Sequence, residues 1–185
     1  MSGSYWERDG IRITSERKSY AKRKWEEYAD SESRALLQNE VELPAMSYDE
    51  YEKLFSNAGK LETSASSFQL YIENDQGELV GWINVHTIDR KNGVFSYGIG
   101  IFKEHQKQGY GTRAVRMLLR YCFDELRLHK CNIECLDLNE GSLRLHTAIG
   151  FKEEGRRRES VYLHGAYHDE VLLGITDTEY RRASG

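Results

Sequence analysis

From Phe68 to Phe102 apolar and polar positions alternate with a period of two, the pattern of strands with one buried face. "FQLYIEN" puts Phe68, Leu70 and Ile72 on one side. "DQG" turns the chain into a longer strand, "ELVGWINVHTID", and "RKNG" turns it again into "VFSYGIGIF", Val94–Phe102. The period then lengthens. Val115, Leu118, Cys122 and Leu126, widened by Leu119 and Phe123, follow helical spacing. "CNIECLDL" reads as a buried strand. "NEGSLRLHTAIG" reads as a short helix with Asn139 as N-cap and Gly150 closing it. The remainder folds back as a hairpin turning near His164-Gly165. Upstream, "IRIT" is a short strand, and residues 18–39 are charged and helix-prone, with Tyr20, Trp25, Tyr28, Leu36 and Leu37 as contacts, before Pro44 interrupts. "SYDE" is a capping box opening a helix that carries Tyr51, Leu54 and Phe55, and polar "NAGKLETSASS" follows as a loop. This order predicts an α/β layer arrangement: a mixed, mostly antiparallel twisted sheet of about seven strands flanked by helices. A single domain over residues 11–176 is expected, with terminal extensions at 1–10 and 177–185.

Composition narrows the classes. A chain of 185 residues with 39% hydrophobic and 30% charged residues has enough apolar material for one core under a solvated surface. A net charge of −4 argues against nucleic acid as a partner, although "GRRR" at 155–158 is locally basic. No run approaches the roughly 20 apolar residues that span a bilayer, and "MSGSYWERDG" lacks the apolar core of a signal peptide. No membrane partner and a cytoplasmic location are expected. Three cysteines, Cys122, Cys131 and Cys135, cannot all pair, so reduced buried thiols are expected. His129, Cys131 and Cys135 match no common zinc spacing, and no metal is assigned to them.

The candidate chemistry centres on "EHQKQGYGTRAV", Glu104–Val115, where two glycines precede a helix. A P-loop pattern is absent. A dinucleotide fingerprint does match at Gly109, Gly111 and Ala114, with Glu134 at a distance suited to a ribose, but "KEHQKQ" separates the glycines from their strand. The third pattern is Q-x-x-G-x-G at Gln106, Gly109 and Gly111. With the preceding meander, the following helix and strand, and "NEGSLRLHTAIGF", it resembles the GCN5-related N-acetyltransferases (GNAT). The resemblance extends from Ile11 to Ile175, and within the family it is nearest the ribosomal-protein alanine and spermidine acetyltransferases.

The resemblance implies acetyl-CoA as cosubstrate and an amine as acceptor. It implies a central splay in the sheet where backbone of Ile99, Gly100 and Ile101 pairs with pantetheine. Gln106, Lys107, Gln108, Gly109, Tyr110, Gly111, Thr112 and Arg113 would hold the pyrophosphate, whose approach glycines permit and a helix N-terminus favours. Asn139 and Ser142 would complete the cofactor site. The sequence departs from the family twice. His146 stands where relatives carry a tyrosine acid for the departing sulfur, so it is either the acid or a packed bystander. Ser96 stands where relatives carry a glutamate base, which leaves water, Glu73, Tyr97 or His86 to take the proton, or an amine that loses it before binding. Glu26, Glu27, Asp30 and Glu32 form an acidic helix face that is either simply solvated or offered to a cationic acceptor such as a polyamine. The reading is acetyl transfer from acetyl-CoA to a primary amine, a protein N-terminus or a small amine, with a homo-oligomer left open. The different-class alternative is an acyl-CoA sensor without turnover.

Overall fold

The structure, a computed structural model, describes residues 5–15, 17–30, 46–58 and 67–184, without the side chains of 54–58 and 184. The expected contacts of Leu36, Leu37, Leu54 and Phe55, the acid Glu32 and the break at Pro44 lie outside what is described. Eight strands form one sheet in the order β1-β2-β3-β4-β5-β6-β8-β7. They are β1 (Glu7–Arg8), β2 (Ile11–Thr14), β3 (Phe68–Asn74), β4 (Leu79–Asp89), β5 (Val94–Ile101), β6 (Lys130–Leu136), β7 (Lys152–Leu163) and β8 (Ala166–Thr176). All neighbours are antiparallel except β5 and β6. The sheet has one strand more than expected because Glu7–Arg8, two exposed residues without apolar alternation, pairs with β2 around Asp9-Gly10.

Among the described residues five α-helices accompany the sheet: α1 (Ala21–Ala29), α2 (Tyr48–Ala58), α3 (Tyr110–Arg120), α4 (Glu140–Ile149) and α5 (Asp177–Ser184). Helix α3 presses Ala114, Val115, Leu118 and Leu119 onto Ile83, Val85, Phe95 and Tyr97, the face that period-two alternation in β4 and β5 made apolar. On the opposite face Tyr20 and Ala21 pack with Tyr71, Leu79 and Phe102, against which Tyr51 and Trp82 lean. Past Arg120 the helix widens into a π-helical turn over Tyr121–Glu125. The Ser47–Glu50 box caps α2 as expected: the Ser47 N–H donates to Glu50 Oε2 at 3.0 Å, and the Glu50 N–H to Ser47 Oγ at 3.4 Å. The hairpin turn falls at His164-Gly165, both at positive φ.

The parallel β5–β6 ladder joins only Val94 to Lys130, Phe95 to Cys131 and Ser96 to Asn132. Beyond Ser96, β5 stays paired to β4 as far as Ile101, and β6 to β8 as far as Leu136. The two strands therefore diverge into a wedge with its vertex at Ser96 and Asn132.

Candidate active site

The open edge of the wedge is backbone. The Phe102 N–H donates to Val80 O at 3.0 Å, which makes that pair a hydrogen-bonded position of the β4–β5 ladder. Alternation then gives Gly100 and Gly98 to β4 and turns the N–H and C=O of Ile99 and Ile101 toward the wedge. Gln106 occupies one of these groups: its Nε2 donates to Ile101 O at 3.0 Å, tying the glycine loop to the strand end.

The β4–β5 register runs unbroken through Gly98 and Gly100. A Cβ on Gly100 would stand 2.6–2.8 Å from the Trp82 indole of the neighbouring strand, so this glycine makes room for a ring. At Gly98 the same atom would meet Trp82 at an ordinary 3.9 Å. The bulge lies across the ladder in β4, where the register shifts between His86 and Ile88 and Thr87 adopts φ +62°.

The loop glycines divide the work expected of both. Gly109 is the N-cap of α3 at φ +80°, with nothing but Arg113 Nε, 3.9 Å away, near a would-be Cβ. Lys107, at φ +59°, takes the same left-handed conformation. The first intrahelical bond runs from Arg113 N to Gly109 O, so the N–H groups of Tyr110, Gly111 and Thr112 lie ahead of it at the positive end of the helix. Gly111, by contrast, is buried. A Cβ there would come 2.7 Å from Leu145 Cδ1, so the missing side chain serves the contact of α3 with α4. Arg113 is engaged by carbonyls: Nη1 by Asp9 O, Nη2 by Gln108 O at 2.9 Å and Nε by Gly109 O at 3.3 Å, while its guanidinium stacks on Tyr110. It supplies charge to the loop but is held as its brace. Lys107 and Gln108 are exposed, and Gln108 Nε2 donates to Glu104 O at 3.0 Å.

Helix α4 starts as expected. Asn139 Oδ1 accepts from the Ser142 N–H at 3.0 Å, and Gly150 closes the helix at φ +115°. His146 is only 2% exposed. Its Nδ1 lies 2.8 Å from Ser142 O and 3.2 Å from Ser142 Oγ, and its Nε2 lies 2.8 Å from Tyr97 Oη. The carbonyl can only accept, so Nδ1 carries the hydrogen and Nε2 accepts from the Tyr97 hydroxyl. Burial lowers the imidazole pKa to about 4, and the Ser142 carbonyl offsets this only in part. A neutral imidazole already accepting from a phenol has no proton to give a thiolate. The geometry thus favours the packed alternative over the acid. Tyr97 is itself buried, and desolvation pushes its hydroxyl well above the ordinary phenol range.

Of the proton acceptors considered, Glu73 is tied up. It is 1% exposed, accepts from Tyr20 Oη at 2.6 Å and from Arg17 Nη1 at 2.7 Å, and lies on β3. Burial raises the Cys122 thiol to about 12, and Cys131 and Cys135 are raised by the same cause, so none is a ready nucleophile. His129 pairs with Asp177, its Nδ1 3.1 Å from Oδ1. On the face of the sheet opposite α3, His86 is exposed and directly opposite Ser96. Ser96 Oγ stands 3.0 Å from His86 Nδ1 and 2.8 Å from His86 O. Asn132, across the vertex from Ser96, has a buried Oδ1 without a partner among the described residues.

Comparison with known proteins agrees with this arrangement. The family model of the acetyltransferase (GNAT) domain matches residues 15–152. The chain is 35% identical over 114 residues to the SPbeta prophage-derived uncharacterized N-acetyltransferase YokL of Bacillus subtilis, a match spanning 62% of this chain and 64% of the relative. It is 27% identical over 152 residues to spermidine N(1)-acetyltransferase of Vibrio cholerae, spanning 82% and 86%. The crystal structure of spermidine N-acetyltransferase from Vibrio cholerae with CoA and spermine superposes with a TM-score of 0.79 at 22% identity, covering 93% of this chain and 98% of that one. A dodecameric structure of that enzyme superposes with a TM-score of 0.74.

Proposed function

The chain belongs to the GNAT acetyltransferase family, and from that premise we propose that it moves the acetyl group of acetyl-CoA to a primary amine, a protein N-terminus or a small amine. The observation that carries this is the wedge. Among the described residues it offers the N–H and C=O of Ile99 and the N–H of Ile101 on one side, with Ile101 O held by Gln106, and leads to the α3 N-terminus at Gly109. A ligand with two amides and a pyrophosphate needs those two features in that order. Ile99 and Ile101 would receive the amides. The N–H groups of Tyr110, Gly111 and Thr112 would receive the pyrophosphate, with Lys107 and the braced Arg113 adding charge. Asn139 and Ser142 would hold α4 against the arm. Acetyl-CoA supplies an activated acyl group on a fair leaving group, so positioning of the amine provides much of the rate. Residues 11–176 form the catalytic unit on this reading, and a cytoplasmic location fits a soluble acyl donor.

The acceptor is a cation before it reacts, and the vertex offers it His86, Ser96 and the orphaned Asn132 carbonyl. Spermidine acetylation by relatives makes polyamines the first amines to test. A homo-oligomer fits the exposed Tyr162 and Tyr167, 63% and 65% accessible at the hairpin tip, and light scattering would measure it. The decisive experiment incubates the protein with acetyl-CoA and a panel of amines and follows CoA release and acetylated product. Turnover with at least one amine is expected. Tight acetyl-CoA binding with no turnover would make the protein a sensor, and no acetyl-CoA binding would overturn the reading altogether.

A further inference from the structure

Relatives were expected to place a carboxylate where this chain has Ser96, and the structure shows what stands there instead. Ser96 is the last residue of β5 paired to β6, so it sits at the vertex of the wedge. Opposite it in β4 is His86, an exposed imidazole on the same sheet face. Ser96 Oγ reaches both His86 O, at 2.8 Å, and His86 Nδ1, at 3.0 Å. A hydroxyl has one hydrogen, and a carbonyl can only accept. The hydroxyl must therefore donate to His86 O and accept from His86 Nδ1–H. That choice fixes the tautomer, and Nε2 is left with a lone pair on the exposed edge of the ring. Directly after His86 the ladder is broken by the Thr87 bulge, where a β-branched residue takes φ +62°. Backbone strain of this kind persists where the surroundings impose it. Beside Ser96, Asn132 Oδ1 is buried and has no partner among the described residues, an acceptor that a donor such as an amine N–H would satisfy.

We propose that His86 is the general base of the reaction and that Ser96 is its positioning residue. The proposal rests on the acetyl-transfer reading above. His86 Nε2 takes a proton from the cationic acceptor, the now neutral nitrogen forms its bond to the acetyl carbon, and the second proton that this nitrogen sheds passes to solvent. The C–S bond breaks with its electron pair going to sulfur, CoA leaves as the thiolate and takes a proton from solvent, and His86 returns its own proton to solvent. Ser96 keeps Nδ1 protonated throughout, so that the second nitrogen is always the basic one. This arrangement replaces a carboxylate on β5 by an imidazole on β4 that reaches the same vertex.

Two measurements test it. The first needs no turnover. Nitrogen chemical shifts of the His86 ring in the unliganded protein should report the Nδ1–H tautomer, and Ser96→Ala should move the ring toward Nε2–H. An Nε2–H tautomer in the parent would overturn the proposal even if acetyl transfer is confirmed. The second uses an amine that the parent acetylates, together with a less basic analogue. His86→Ala should lower kcat/KM for the basic amine about 10²-fold, the low end for general bases, leave acetyl-CoA affinity unchanged, and lose much less with the weakly basic amine. Added imidazole should restore part of the rate. His86 is exposed, so the variant should fold, which near-UV circular dichroism checks. Ser96→Ala should show a smaller fall in kcat at unchanged KM, and Ser96→Thr should recover it. Full activity of His86→Ala, or an equal loss for both amines with no rescue by imidazole, would overturn the proposal. Absence of turnover in the parent would instead count against the acetyl-transfer reading.

Discussion

Replacing His146 by glutamine should change how stability depends on pH more than it changes stability at pH 7.5. The imidazole is 2% exposed and its pKa falls from 6.5 to about 4 because the charged ring loses its hydration. In the unfolded chain the ring takes a proton near pH 6.5, while in the folded chain it does not until about pH 4. Across that interval the unfolded state binds more protons, so stability is full above the unfolded value and is lost as pH falls. The two values imply a loss of about 2 kcal/mol between pH 7.5 and pH 5 and about 3 kcal/mol once both forms are protonated. His146→Gln removes this contribution and keeps a side chain that can accept from Tyr97. Urea unfolding at intervals of half a pH unit from 7.5 to 4.5, on both proteins, measures it. The difference in unfolding free energy between parent and variant should shift by about 2 kcal/mol toward the variant as pH falls to 5. A difference constant with pH would refute the burial argument and would return His146 to the list of groups able to hold a proton at neutral pH. In the same variant kcat should be nearly unchanged, since a neutral acceptor of a phenol hydrogen bond is not the donor to sulfur.

Other outcomes follow from the same geometry. Gly109→Ala meets only Arg113 Nε, at an ordinary 3.9 Å, but must hold φ +80°; it should cost roughly 1 kcal/mol and weaken acetyl-CoA binding in calorimetric titration. Gly100→Ala meets the Trp82 indole at 2.6 Å, and thermal unfolding should show a loss of about 1–3 kcal/mol with altered tryptophan fluorescence. Glu73→Gln breaks the buried contacts to Arg17 and Tyr20 and should lower stability by about 2 kcal/mol while kcat/KM stays at the parent value, because this carboxylate does not reach the wedge. Arg113→Ala frees the Asp9, Gln108 and Gly109 carbonyls at once; hydrogen exchange should quicken in the glycine loop and at Asp9-Gly10, and acetyl-CoA affinity should fall.

Elements with a full period were legible before any coordinates. The meander strands, the stripe on α3, the Asn139 cap and the Ser47–Glu50 box were all found where alternation and capping chemistry put them. Helix α5 was missed although its signal was present: "TDTE" is a capping box, and Thr176 and Glu179 exchange bonds of 3.0 and 3.3 Å. Strand β1 had no such signal, because two polar residues carry no alternation. What could not be read from spacing was which glycine faces what. Gly109 and Gly111 are alike in the sequence, yet one faces solvent and the other faces Leu145, a partner 34 residues away. The pairing of Tyr97 with His146 spans 49 residues and depends on the depth of α4 over β5, so the imidazole's loss of charge was invisible locally. Ser96 was noticed only as a missing acid; its partner became visible once β4 and β5 were in register.

The wedge gives this sheet an edge in its interior. Ordinary edges are hazards, since unpaired N–H and C=O groups template the addition of a strand from another molecule. Here the two borders converge within a few residues on Ser96 and Asn132, and the space between them narrows along its length. A polypeptide strand needs room on both faces for side chains at every second residue and a uniform spacing of about 4.8 Å to its neighbours, which a tapering gap cannot provide. A slender unbranched chain bearing amides can enter where a peptide cannot. The taper thus protects the protein from self-association at the place where its backbone is most available, and the same narrowing brings the tip of whatever enters to the vertex where Ser96 and His86 meet.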